Sequence, residues 1–253
     1  MRHCSSRHVI PPAAQPVAIP CFDLGLVEYG QAQELQGELQ LAVADGMAPG
    51  VLLLLEHPPV VTLGSRGTPA DLVDLGGSAE TLPVMRSERG GAATLHAPGQ
   101  LVSYPIIPVP GRDLRHFVWN LEEVLVRLLS DLSIDAERSG GRPGLYVGAD
   151  KIASVGLRCR RWVASHGTSL NISNDLGLFD AIIACGETGL RQTSVAALAG
   201  SAPDMPTAKR AYAEQFGFVF QRSVLPPDPA TPAEVSRWAA GRSRNPQPHY
   251  PRQ

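Results

Sequence analysis

Cys185 stands in AIIACGET (181–188), after an apolar run and directly before Gly186. A thiolate is a strong nucleophile. A glycine after it lets a bulky substrate approach and leaves a backbone N–H for an oxyanion. A small cysteine at the end of an apolar run also suits a packed core, so the local sequence leaves both readings open. The chain has 22 Lys and Arg residues, of which only Lys151 and Lys209 are lysine. Arginine stays protonated near neutral pH, whereas lysine is a compact charge that its surroundings can tune. Lys209 falls in a helix that reads as exposed, which leaves Lys151, at the head of the apolar segment KIASVGLR (151–158), as the candidate for chemistry. Near Cys185, its ammonium would lower the thiol pKa from ~8.5, and as a neutral amine it could take the thiol proton. The alternative is a lysine snorkelling at a strand end.

RGGAATLHAPGQLVSYPI (89–106) places three glycines, a proline and His96 in its first eleven positions, then runs into an apolar strand. His96 could contact a substrate carbonyl, reach the cysteine or brace the APG turn. In WVASHGTSLNI (162–172), His166 and Gly167 lie inside a strand pattern. Glycine weakens a strand unless something approaches closely there, and a ligand is one such thing. Arg158, Arg160 and Arg161 form a basic stretch that reads as a solvated turn or as a dock for an acidic partner.

These residues need elements to hold them. Residues 24–44 carry Ala32, Leu35, Leu39 and Val43 at helical spacing. VLLLLE (51–56) reads as a strand buried on both faces, and VVTLG (60–64) and LPVMR (82–86) as further strands about a loop at 65–81. ATLH and QLVSYPII follow as strands around APG. The segment 113–132 is the clearest helix: Leu114, Phe117, Val118, Leu121, Val124, Leu125, Leu128 and Leu129 form one stripe and Asp113 is placed to cap it. IDAER (134–138) and GLYVG (144–148) read as short strands, KIASVGLR and WVASHGTSLNI as a hairpin, and 207–220 as a last helix. Helices between clusters of strands indicate an α+β fold, a mixed and largely antiparallel sheet flanked by helices.

Length and composition narrow the classes. The 253 residues are 43% hydrophobic and 18% charged with a net charge of −2, which suits a globular protein and not a nucleic-acid binder. No apolar run approaches the ~20 residues of a membrane span. Four cysteines without a CxxC pair or zinc spacing suggest a reducing compartment and no metal. There is no GxSxG elbow, GxxxxGK[ST] phosphate loop or HExxH motif. Residues 1–20 and 223–253 read as Pro-rich tails around a domain at 21–222, with room for a short helix near 232–240.

Four ordered blocks, EHPPVVTLG (56–64), RGGAATLHAPGQLVSYPI (89–106), GRPGLYVGADKIASVGLRCRRWVASHGTSLNI (141–172) and DLGLFDAIIACG (175–186), resemble the lipoyl(octanoyl) transferase family over roughly residues 24 to 220. The resemblance implies a fold like the biotin/lipoate protein ligases, with Cys185 as acyl-thioester nucleophile and Lys151 as the residue that activates it. It assigns substrate binding to Arg89, Gly90, Gly91, Ala92, Ala93, Thr94, Leu95 and His96, to Ser154, Val155 and Gly156, and to Gly167, Thr168 and Ser169. The implied donor is octanoyl-acyl carrier protein. The implied acceptors are lipoyl domains of 2-oxoacid dehydrogenases and the glycine cleavage H protein, with no cofactor, nucleic acid or membrane; the lack of a targeting signal points to the cytoplasm. Ala97, Ala184 and Ser154 depart from the usual glycine, proline and alanine. None removes a catalytic group, though Ala97 would be strained if its position needed positive φ. Two other readings stand beside this one: an ATP-dependent lipoate or biotin ligase, and a non-catalytic carrier-binding module in which Cys185 and Lys151 lie apart. A thioesterase, with water in place of the acceptor lysine, is a further option.

Overall fold

The computed structural model describes residues 18–73 and 82–242. Its first element is strand β1 (Cys21–Leu26), not the start of a helix; α1 (Tyr29–Ala44) follows. All four apolar positions read at helical spacing lie inside α1 and are buried. The residues before it pair in parallel with β2 (Val51–Glu56).

β2 shows why its sequence is apolar throughout. Leu52 and Leu54 enter one core while Val51, Leu53 and Leu55 enter another on the opposite face. β3 (Val60–Leu63), β4 (Val84–Arg86) and β5 (Ala93–His96) form a separate three-stranded sheet. The APG turn then carries the chain out of this sheet into β6 (Gln100–Ile106), which pairs antiparallel with β2. The two strands around that turn therefore do not pair with each other.

α2 (Leu114–Asp131) is capped by Asp113, whose carboxylate accepts the His116 N–H at 3.0 Å. Most of its stripe is buried, but Leu114 is 38% exposed, so the apolar face extends past the core. β7 (Glu137–Ser139), β8 (Arg142–Val147), β9 (Asp150–Arg160) and β10 (Val163–Asn171) then form an antiparallel succession. The β9–β10 turn is Arg161–Trp162 with φ of 52° and 61°. Positive φ at both central residues matches the right-handed twist of a two-residue hairpin. β10 also pairs with β6, and with a short last strand β11 (Asp228–Pro229) the sheet order is β11–β1–β2–β6–β10–β9–β8–β7. Within this sheet, among the described residues, only the β1 pairings are parallel, so it is mixed and largely antiparallel, as expected.

A short helix α3 (Val195–Ala199) leads to α4 (Met205–Phe220). α2 and α4 cover one sheet face. The other is covered by α1 and α5 (Pro232–Arg242), the latter reached through β11 (Asp228–Pro229) beside β1. This corrects the reading of a tail from residue 223: Val235 is fully buried and Ala239 nearly so. Residues 1–17 and 243–253, and 74–81 of the expected loop, lie outside the described residues. Lys209 is a second correction. Its side chain is buried and its ammonium meets the Asp23 carboxylate. Its helix is flanked by a sheet that periodicity alone does not reveal.

Candidate active site

Cys185 lies in a turn beside β5. Its backbone N–H donates to the Ala93 carbonyl at 2.9 Å, and Cys185 and Gly186 take φ of 58° and 73°. A left-handed non-glycine residue costs about 1–2 kcal/mol, and such strain concentrates at functional sites. The Gly186 N–H donates to the Ile183 carbonyl at 3.1 Å. It is therefore spent within the turn, and the expectation of a free N–H there for an oxyanion is corrected.

Lys151, near the start of β9, is only 2% exposed. Its Nζ stands 3.2 Å from Sγ of Cys185, 3.4 Å from the Tyr146 hydroxyl and 3.4 Å from the Pro143 carbonyl. The ammonium also lies 5.2 Å from the centroid of the Tyr146 ring. At Cys21, on β1, burial, with Asp23 adding to it, pushes the thiol up to about 12. The carrier-module reading required Cys185 and Lys151 to lie apart, and they do not.

The pair opens on a cavity of about 500 Å³ walled by the 89–94 loop, β9, β10 and the exposed end of α2. Arg89, Gly90, Gly91, Ala92, Ala93, Thr94 and His96 line it, as do Ser154, Val155, Gly156, Gly167, Thr168 and Ser169. Leu95 does not. Strand alternation turns its side chain into the core beneath the small sheet, and its place among the binding residues is corrected.

The glycines serve the walls more than the expected ligand. A Cβ on Gly167 would fall 2.2 Å from the Ser103 carbonyl oxygen of β6, so the close approach there is between strands. Gly99 lies against the backbone of Asn174, outside the cavity. Gly64 and Gly91 make room for the Arg89 guanidinium, whose Nη1 would be 2.9 and 3.3 Å from their added Cβ atoms. Ala97 is buried and is not among the positive-φ residues, so the feared strain is absent.

Arg89 is buried, yet among the described residues its guanidinium donates only to neutral oxygens: Thr62 Oγ1 and carbonyl, Gly90 and Ala92. Burial works against its charge, while Tyr29, Cys185 and Tyr104 favour it. The inner wall is aromatic. His96 stacks on Tyr29 at 5.8 Å and meets His57 edge-on at 5.4 Å. Gln100 donates its amide to Leu95 and Asn171, so its oxygen accepts from His96 Nδ1 at 2.7 Å, and Nε2 of His96 keeps its lone pair. Burial holds His96 well below the ordinary histidine value, with His57 adding to it. His57 falls to about 4 by burial, and His166 to about 3 by burial with Arg89 and Arg158. His96 is thus a neutral wall residue.

Tyr29, Tyr104, Leu114, Val118 and the mouth pair Arg142–Glu187 also line the cavity and were not singled out in the sequence. Leu114 and Val118 left a trace there, as a helical stripe longer than a core requires. In the basic stretch, Arg158 is paired with Glu88 and Arg161 with Asp45, so two of its three charges are balanced locally.

Residues 28–217 match the model of the lipoyl protein ligase A/B catalytic domain. The octanoyltransferase of Maridesulfovibrio salexigens is 41% identical over 206 residues, covering 79% of this chain and 95% of that protein. That of Geobacter sulfurreducens is 43% identical over 196 residues, covering 77% and 81%. Among solved structures, a lipoate-protein ligase A bound with ATP aligns with a TM-score of 0.67 over 87% of this chain and 93% of the other, at 16% identity. A bipartite lipoate protein ligase from Thermoplasma acidophilum aligns with a TM-score of 0.65 over 87% and 91%, at 18% identity. At these identities the solved structures speak for the fold alone.

Proposed function

The chain belongs to the lipoyl(octanoyl) transferase family, acyltransferases of protein lipoylation, and from that premise we propose that Cys185 carries the octanoyl group as a thioester between two protein partners. The observation that carries this reading is the 3.2 Å approach of Lys151 Nζ to Cys185 Sγ at the edge of a cavity large enough for a C8 chain.

Octanoyl-acyl carrier protein supplies an activated thioester. The Cys185 thiolate attacks its carbonyl carbon, the carrier's thiolate leaves with the proton of the Lys151 ammonium, and octanoyl-Cys185 remains beside a neutral Lys151. The target lysine of a lipoyl domain then attacks the new thioester as a neutral amine. Lys151 accepts the proton that this amine sheds, and Cys185 departs as thiolate beside the ammonium so formed. Amide formation from a thioester is downhill, so the exchange needs no ATP. Each methylene buried in the cavity contributes ~0.8 kcal/mol, which lets depth discriminate chain length. The acceptors in this reading are the lipoyl domains of 2-oxoacid dehydrogenases and the glycine cleavage H protein.

The test is intact-protein mass spectrometry after mixing with octanoyl-acyl carrier protein without ATP. The expected result is one added octanoyl group on the wild type, none on Cys185→Ala, and transfer of that mass to an added apo lipoyl domain. Absence of an adduct on freshly reduced wild type overturns the cysteine route.

A further inference from the structure

We propose that Glu122 is a positioning residue for the Lys151–Cys185 pair, acting on Lys151 through the single peptide group between Pro143 and Gly144. The proposal rests on the reading of that pair given above. The two ends of this peptide group face different partners. Its N–H, from Gly144, donates to Glu122 Oε1 at 2.9 Å. Its carbonyl, from Pro143, accepts from Lys151 Nζ at 3.4 Å. A carboxylate on the N–H side polarises the peptide and makes its oxygen a stronger acceptor for the ammonium, as hydrogen bonds in series strengthen one another. The sequence of contacts therefore runs from a helix α2 carboxylate, through one β8 peptide, to the ammonium and on to the thiol.

The backbone is shaped for this contact. Gly144 takes φ of 129°, and a Cβ there would lie 2.4 Å from the Ala153 carbonyl oxygen, 2.9 Å from Lys151 Cε and 3.1 Å from Nζ. Only glycine presents the peptide while leaving space for the lysine head. Glu122 is 7% exposed, in the middle of a helix otherwise buried through its apolar stripe. Such a carboxylate is costly unless its bonds are met, and its partners are Gly144 and, at 3.5 Å, Arg138. Burial raises its carboxyl above the ordinary range, against the pull of Gly144, Arg138 and Lys151. Other charged or titratable groups around the pair include Tyr146 on β8, Arg89 from the loop and the Arg142–Glu187 pair at the mouth, and Arg138 is also paired with Glu123.

Negative charge on Glu122 favours the positive charge of Lys151 and opposes negative charge on the neighbouring sulfur. Glu122→Gln keeps an acceptor for the Gly144 N–H and removes the charge. Both limbs of the pH profile of kcat/KM should then move to lower pH by roughly half a unit or more, as for removal of one nearby charge. The pH dependence of iodoacetamide labelling at Cys185, read by peptide mass spectrometry without substrate, should move the same way. A purely structural loss would lower the rate at every pH and leave the limbs in place. Limbs and labelling unmoved in a folded Glu122→Gln protein overturn the proposal. Should that variant fail to fold, Arg138→Gln decides: it leaves the Glu122 charge less balanced and should move both limbs upward, and unmoved limbs overturn the proposal equally. Failure of the underlying reading looks different, since Cys185→Ala would then still transfer octanoyl groups.

Discussion

Lys151 Nζ and Cys185 Sγ lie 3.2 Å apart although 34 residues separate them in sequence. One sits on a central strand and the other in a strained turn held by Ala93 of the small sheet. The pair exists only because the two sheets meet at this edge.

That contact makes lysine at 151 a chemical requirement beyond its charge. Lys151→Arg keeps a cation but cannot release a proton near neutral pH, and its fork does not fit the space shaped by Gly144. Transfer to a lipoyl domain should fall about 10²–10⁴-fold. Single-turnover discharge of a preformed octanoyl-enzyme measures this directly, and near-normal discharge would remove Lys151 from the second step.

Two glycine substitutions should have opposite signs. Gly167→Ala forces a methyl to 2.2 Å from the Ser103 oxygen and 2.7 Å from Pro105 Cδ, and should cost about 3 kcal/mol or more. Gly37→Ala, on an exposed position of α1 with nothing within 4 Å, should gain about 0.5–1 kcal/mol. Urea midpoints of the two variants check the pair.

The buried histidines make stability depend on pH in a definite direction. In the unfolded chain they gain protons as pH falls through about 6.5. In the folded protein His57 does so only near 4, His166 near 3 and His96 well below its ordinary value. The unfolded state therefore binds more protons below pH 6.5, and stability falls as the pH drops, with no loss above about 7. His57 and His166 should each remove about 2 kcal/mol between pH 7 and 5, and His96 acts in the same direction. Urea unfolding across that range tests this, and a flat profile would mean that the rings are charged or exposed.

Arg89 should resist conservative replacement. Its guanidinium serves four acceptors at once, Thr62 Oγ1 and the carbonyls of Thr62, Gly90 and Ala92, which an ammonium with three donors cannot do. Arg89→Lys should cost about 2–3 kcal/mol through carbonyls left without donors. It should also lower kcat/KM by loosening the loop that holds Ala93 against Cys185. Denaturant unfolding and steady-state kinetics read the two effects separately.

Much of this protein was legible in the chain. The eight-residue stripe of α2, the two-faced apolar strand VLLLLE and the β9–β10 hairpin follow from local periodicity, because side-chain direction repeats with the backbone geometry of each element. The chemical types at Cys185, Lys151 and the 89–96 loop were visible as well. What tertiary structure alone decided was adjacency and direction. It placed Lys151 on Cys185, and turned Leu95 into the core while its neighbours Thr94 and His96 faced the cavity. It spent the Gly186 N–H inside a turn, buried Lys209 against Asp23, and packed Val235 of α5 against α1 where composition suggested a tail. Each of these depends on what lies across space, which is set by sheet order and register between segments far apart in sequence. A one-residue change of register reverses every side chain of a strand without altering its composition.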